Sequence, residues 1–239
     1  MSAILVFLAV LALAAGWWLS RQGLMVKPWL HADAAGAIAQ APGSRQPAAQ
    51  IGLAVFLAVV GSLFALLISA YVLRAEMGDW QSVALPAIVW PNTLCLLVAS
   101  LALEWARAGI TEGNLARART SVIVASIAAL AFLAGQLFAW RLLAVGGYFV
   151  NSNPSVSFFY LMTAAHGLHV IGGMFALART FERIWSGDKT QRIRLSVELA
   201  ATYWLFMLFV WVILLLVLSG WAGEFLSICG QILSGSGIA

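Results

Sequence analysis

Long apolar runs, broken by short polar stretches, dominate this chain. One helix needs about 20 apolar residues to cross a hydrocarbon core of about 30 Å. On that measure the sequence predicts six membrane-crossing segments: Ala3–Leu19, Ile51–Leu73, Ala84–Leu103, Ser121–Trp140, Phe158–Leu177 and Leu199–Trp221. The runs are too long and too continuously apolar for the two-residue alternation of a β-barrel. Backbone groups in lipid must be satisfied within their own segment, so all six are expected to be α-helices. The expected fold is an all-α, polytopic membrane protein with six transmembrane helices.

The polar stretches set the organisation. Ile4–Ala15 has the length of a signal-peptide core, but no positive side chain precedes it. Trp17 and Trp18 followed by Arg21 read as an interfacial belt, which suits a retained helix. Residues 1–25 are therefore expected to be an N-terminal transmembrane helix. Residues 26–50, rich in Ala, Gly, Pro, Ser and Gln, form a linker with too little apolar surface to fold alone. Residues 51–222 form a five-helix bundle, and 223–239 a tail. Pro91, followed by Asn92 and Thr93, suits the first turn of the third segment, with Pro86 at the membrane entry. Gly61, Ser62, Gly172 and Gly173 are candidates for close helix contacts.

Composition narrows the function classes. Hydrophobic residues make up 63% of the chain and charged ones 9%, against about 25% charged in a typical soluble domain. The 13 Lys plus Arg sit in connections between apolar runs rather than on a soluble face, so the net charge of +4 is no nucleic-acid signal. The basic residues also orient the chain. Arg21, Lys27, Arg45, Arg107, Arg117, Arg119, Arg179, Arg183, Lys189, Arg192 and Arg194 follow the first, third and fifth segments, and only Arg74 and Arg141 fall on the other side. By the positive-inside rule both termini are expected to face the periplasm, or its equivalent.

The segments carry little chemistry of their own. Ionisable side chains deep in a membrane mark functional sites by default, yet here only His166 and His169 lie within the segments, while Glu104 and Glu198 sit at their cytoplasmic ends. A proton pump or charge-selective channel needs a buried relay or ring, which this chain does not supply. No inverted repeat supports a small transporter. Cys95 and Cys229 have neither metal-site nor disulfide spacing. His166 and His169, three residues apart, project from neighbouring positions on one helix face. A metal or haem there would need further ligands that no other segment offers apart from Cys95, so neutral imidazoles hydrogen-bonded to Thr, Gln or backbone are expected instead. No catalytic residue and no metal ligand is assigned.

The run Phe158-Phe159-Tyr160-Leu161-Met162-Thr163-Ala164-Ala165-His166-Gly167-Leu168-His169-Val170 resembles the signature helix of subunit III of the haem-copper oxidases. The resemblance extends from residue 51 to about residue 221 and has a landmark in each helix. Tyr71-Val72-Leu73-Arg74 is similar to the end of the family's first shared helix. Pro86, Asn92-Thr93 and Ser100 match its Pro, Asn-Thr, Ser helix. Phe132-Leu133, Gln136 and Trp140 match its Phe-Leu-x-x-Gln-x-x-Glu-Trp run, and Glu198, Tyr203-Trp204, Phe206 and Val210-Trp211 match the start of its last helix. The departures remove polar groups. Val60 stands where the family commonly has a buried glutamate, Ala139 replaces the glutamate of the Gln-x-x-Glu-Trp run, and Leu205 and Leu208 stand for His and Asp.

The resemblance implies one N-terminal helix followed by a five-helix subunit III-like bundle, in an accessory subunit of a complex that reduces oxygen to water and pumps protons. It implies that haem and copper belong to partner subunits, with subunit I, subunit II and membrane lipids as partners. The missing intramembrane carboxylates argue against a proton relay through this subunit and leave packing, assembly and phospholipid binding. In the family a basic residue several turns beyond the first histidine is associated with a lipid phosphate. Here that position falls on Arg183, with Arg179 one turn earlier. The alternative for both arginines is plain snorkelling to the cytoplasmic interface. The related accessory protein of a nitric oxide reductase shares the five helices and the His-Gly-x-His run, and the extra segment at Ala3–Leu19 favours the oxidase over it.

Overall fold

The computed structural model describes residues 48–77, 80–81, 85–150, 152–187 and 190–220. The expected helix at Ala3–Leu19, most of the linker and the tail lie outside the described residues. Among the described residues every regular element is an α-helix: α1 (Ala48–Ala75), α2 (Val89–Thr111), α3 (Leu115–Val145), α4 (Pro154–Trp185) and α5 (Thr190–Leu218). All five are long and apolar enough to cross a membrane, and the protein is a multi-pass membrane protein.

The helices outrun the apolar segments because capping residues lie in the polar flanks. The Asn114 side chain accepts from the Arg117 amide at 3.0 Å and starts α3, so its 31 residues reach beyond Ser121 and Trp140 at both ends. Asn153 caps α4 in the same way, with Pro154 in its first turn. The second described helix starts later than the hydropathy of Ala84–Leu103 implies. Pro86 and Ala87 make a turn whose carbonyls accept from Val89 and Trp90, and Pro91 falls within the first helical turn. Conversely, α1 begins at Ala48, inside the stretch expected as linker.

Four helices close a ring. The α2 and α3 pair is joined by a tight turn at Gly113, where φ of +75° favours glycine, and packs most extensively. The ring is completed by α3 on α4, α4 on α5 and α5 on α2. Short connections make these neighbours antiparallel, which gathers Arg107, Arg117, Arg119, Arg179, Arg183, Arg192 and Arg194 at one end. Arg74 and Arg141 lie towards the other. Outside the ring, α1 meets α4 and α5 through isolated large side chains. Phe56 stacks on Tyr203 with ring centroids 6.3 Å apart, and Phe64 lies 5.5 Å from the His169 ring.

Candidate functional site: a polar-laced core and an apolar groove

The motif residues follow the bundle axis as cross-helix pairs. Near the end that carries Arg74 and Arg141, the Trp140 indole donates to Thr163 Oγ1 at 3.0 Å, and the Tyr160 hydroxyl lies 3.1 Å from the Trp140 carbonyl. One step further in, Asn92 Nδ2 donates to Gln136 Oε1 at 3.2 Å, and the Trp211 indole donates to Thr93 Oγ1 at 3.0 Å. These bonds tie α3 to α4, α2 to α3 and α5 to α2. In hydrocarbon the hydrophobic effect gives no drive for helix association, so small residues and interhelical hydrogen bonds carry the packing. Gly135 shows why the Asn92 pair can form: a Cβ there would stand 2.4 Å from Asn92 Oδ1.

His166 and His169 occupy different environments despite their spacing. The His166 ring is wholly buried among Phe64, Phe132 and Trp211, and its Nε2 lies 3.1 Å from the Met207 carbonyl. A carbonyl only accepts, so this nitrogen carries the proton. His169 bonds through Nδ1 to the Ala165 carbonyl of its own helix at 2.7 Å, and its carbonyl accepts from the Tyr203 hydroxyl at 2.6 Å. Both rings thus meet backbone carbonyls, His166 across to α5 and His169 on its own helix. Among the described residues no group of three or more His, Cys, Asp or Glu gathers as a metal site would require.

The other motif positions divide in the same way. Trp204 is buried and packs so closely on α4 that a Cβ on Gly173 would stand 2.7 Å from its ring and 2.4 Å from Tyr203. Gly167 has room, with Leu133 the nearest side chain. Glu198 stands apart from the core and pairs with Arg194 at 3.0 Å. Where polar groups of the resembled pattern are missing, Val60 and Ala139 are buried, whereas Leu205 faces outward and Leu208 is half-buried.

Between α1, α4 and α5 lies an elongated groove of about 660 Å³. Its walls are Leu53 and Phe56 from α1, Leu168, Gly172 and Phe175 from α4, and Leu199 and Tyr203 from α5. His169 and Trp204 line its inner end. Arg179, Thr180, Arg183 and Ser196 line the outer end, where an Arg183 guanidinium nitrogen donates to Ser196 Oγ. The groove is thus apolar along its length and cationic at its mouth. Arg179 and Arg183 were picked out by sequence; Ser196, Leu53 and Phe56 were not. Ser196 lies thirteen residues from its partner, on another helix, and only the register of α4 against α5 brings them together.

The sequence profile of the family described as Cytochrome c oxidase subunit III matches residues 50–223. The protein named cytochrome c oxidase subunit 3 from Synechocystis is 27% identical over 172 residues, which cover 70% of this chain and 72% of that protein. Its namesake from Thermostichus vulcanus is 29% identical over 176 residues, covering 70% of this chain and 85% of that one. The wheat protein of the same name, Triticum aestivum, is 31% identical over 132 residues, covering 55% of this chain and 49% of its own length.

Proposed function

This chain belongs to the cytochrome c oxidase subunit III family, and from that premise we propose that it is the accessory subunit III of a bacterial haem-copper terminal oxidase. It packs against the catalytic subunit I and subunit II, stabilises them, and leaves oxygen reduction and proton pumping to the haem and copper of those partners. Its place is the bacterial inner membrane, with Arg107 to Arg119 and Arg179 to Arg194 on the cytoplasmic side and both termini in the periplasm. The distribution of basic residues supports that orientation.

The contribution of this chain is to hold a phospholipid, and the groove carries that reading. From Leu168 to Arg183 α4 rises about 22 Å, which spans the headgroup zone and the hydrocarbon depth of one leaflet. An acyl chain lying between α1 and α5 meets mainly apolar walls. Its phosphate meets the Arg183 guanidinium, which can grip two oxygens with a planar fork, and Arg179 adds a second positive charge. Ser196 orients the fork by accepting one of its hydrogens.

The test is lipid analysis of the assembled oxidase purified in mild detergent. Changing Arg183 to Ala is expected to lower the retained phospholipid while subunit composition and tag-reported topology stay the same, and Arg183→Lys to give an intermediate loss. Unchanged lipid content in both variants, or the arginine variant losing subunits rather than lipid, would overturn the assignment.

A further inference from the structure

The connection between α3 and α4 exposes apolar side chains on a backbone that is held in place. Val145, Tyr148, Phe149 and Val150 are exposed, Val145 by 83%. The main chain between them is fixed from several directions. Gly147 takes φ of +83°, and the Tyr148 amide donates to the Leu143 carbonyl at 2.9 Å. The Tyr160 hydroxyl lies 3.3 Å from the Tyr148 carbonyl, Ser152 Oγ donates to the Phe149 carbonyl at 2.7 Å, and Ser157 Oγ donates to that of Val150. Asn153 Nδ2 donates to the Gln81 carbonyl at 2.9 Å and fastens the same connection to the one after α1. A loop whose carbonyls are held by hydrogen bonds and whose apolar side chains are exposed presents a preformed surface.

Its depth identifies what that surface meets. At about 1.5 Å per residue, Arg119 and Arg141 stand about 33 Å apart along α3, close to the about 30 Å of a hydrocarbon core. The two arginines therefore bracket the core, and Val145 lies about 6 Å beyond Arg141, at the level of the headgroups. The outward stripe of α3 runs without a break to this point through Ile127, Leu130, Leu137, Phe138, Leu142 and Val145, all exposed. The loop continues that stripe. We propose that Tyr148, Phe149 and Val150 form a fixed wedge in the headgroup zone of the leaflet on the Arg141 side, its partner being the lipid surface itself. Tyr148 suits that zone because its apolar ring and polar tip are both satisfied there, and beside it Phe149 and Val150 gain by leaving water for the boundary between headgroups and acyl chains. The wedge then sets the depth of the α3–α4 hairpin, on which Trp140, Thr163 and His166 sit.

The experiment places a reporter on the loop of the complete oxidase. Phe149→Cys, with Cys95 and Cys229 replaced by Ala, is labelled with an environment-sensitive fluorophore and reconstituted into phosphatidylcholine vesicles. The emission is expected to shift to the blue, to be shielded from aqueous iodide, and to be quenched more by nitroxides placed at the lipid headgroup than by nitroxides at the chain end. Quenching by iodide as strong as that of the free dye would show an aqueous loop and overturn the proposal. Shielding from iodide and from both nitroxides would show a partner subunit covering the loop, and would overturn it equally. A labelled Val145→Cys variant serves as a second position should the first fail to assemble.

Discussion

The two faces that α4 and α5 present to their neighbours are built on opposite rules. Towards α2 and α3, indoles and hydroxyls interlock: Trp211 reaches Thr93, Trp140 reaches Thr163, and the Phe132 ring packs on Trp211 and His166, while Asn92 and Gln136 tie α2 to α3 behind them. Towards α1 there is an apolar groove, spanned by Phe56 on Tyr203 and by Phe64 beside the histidines. Lipid tails are as apolar as leucine, so burying leucine against leucine fixes nothing in a membrane. Where the subunit needs one arrangement it uses shape and hydrogen bonds. Towards α1 it spaces the helices with a few rings and leaves most of the remaining surface apolar.

The strongest test of that contrast is to empty the tight side. Phe132 is fully buried and touches the rings of both His166 and Trp211, so Phe132→Ala is expected to cost about 3–5 kcal/mol through lost packing and the cavity left behind. Thermal unfolding in detergent, or in mixed micelles titrated with denaturant, measures it. A loss below about 1 kcal/mol, which such a cavity would produce only by collapsing almost completely, would mean that the core is not the rigid part.

Adjacent glycines give a sharper comparison, since they differ only in the way they face. A Cβ on Gly173 would stand 2.4 Å from Tyr203 and 2.7 Å from Trp204, whereas one on Gly172 meets nothing within 4 Å. Gly173→Ala must push α4 away from α5 and is expected to cost about 1–3 kcal/mol, the usual range for overpacking. Gly172→Ala should leave stability unchanged and intrude only on the groove. Equal effects at the two positions would contradict the assignment of faces.

This pair also shows what could be read from the sequence and what could not. Gly61, Ser62, Gly172 and Gly173 all look like close-contact residues, yet Gly173 alone is pressed by another helix. Gly61 has the Phe206 ring at 3.7 Å, and Ser62 points outward to bond its own Ala58 carbonyl. Hydropathy locates a membrane helix but says little about its rotation, because the lipid-facing and core-facing sides are both apolar. The five described helices were legible for that reason, whereas Arg179 and Arg183 at the end of α4 were singled out by the family resemblance. The pairing of Asn92 with Gln136 was not, since it depends on the register of α2 on α3; each residue was visible only as a separate motif position. Nor did a spacing of three residues reveal that His166 would be sealed in the core while His169 reached the groove.

A smaller effect is expected from the Asn92–Gln136 bond itself. Interhelical hydrogen bonds in membranes are worth about 0.6 kcal/mol on average and about 1.7 at most, less than the cavity and overpacking changes above. A double-mutant cycle with Asn92→Leu and Gln136→Leu should return a coupling in that range. Zero coupling would show that the pair merely shares space, and that Gly135 is kept for packing alone.

The smallest change in stability and the most specific change in lipid are expected at Phe56. Its ring is about half exposed and stacks on Tyr203 at the long centroid distance of 6.3 Å. Deleting it leaves no sealed cavity, because the groove already opens beside it and lipid can enter the space. Phe56→Ala should therefore change thermal stability by no more than about 0.5 kcal/mol, the range of substitutions away from tight packing. The same deletion removes one wall of the groove beside Tyr203, towards its inner end, so a lipid held there loses contact along its chain while its phosphate still meets Arg183. Retained phospholipid should fall by less than in Arg183→Ala and should exchange faster with added labelled lipid. If Phe56→Ala instead destabilises the subunit as much as Phe132→Ala does, α1 is part of the rigid core, and the division drawn between the two faces of α4 and α5 fails.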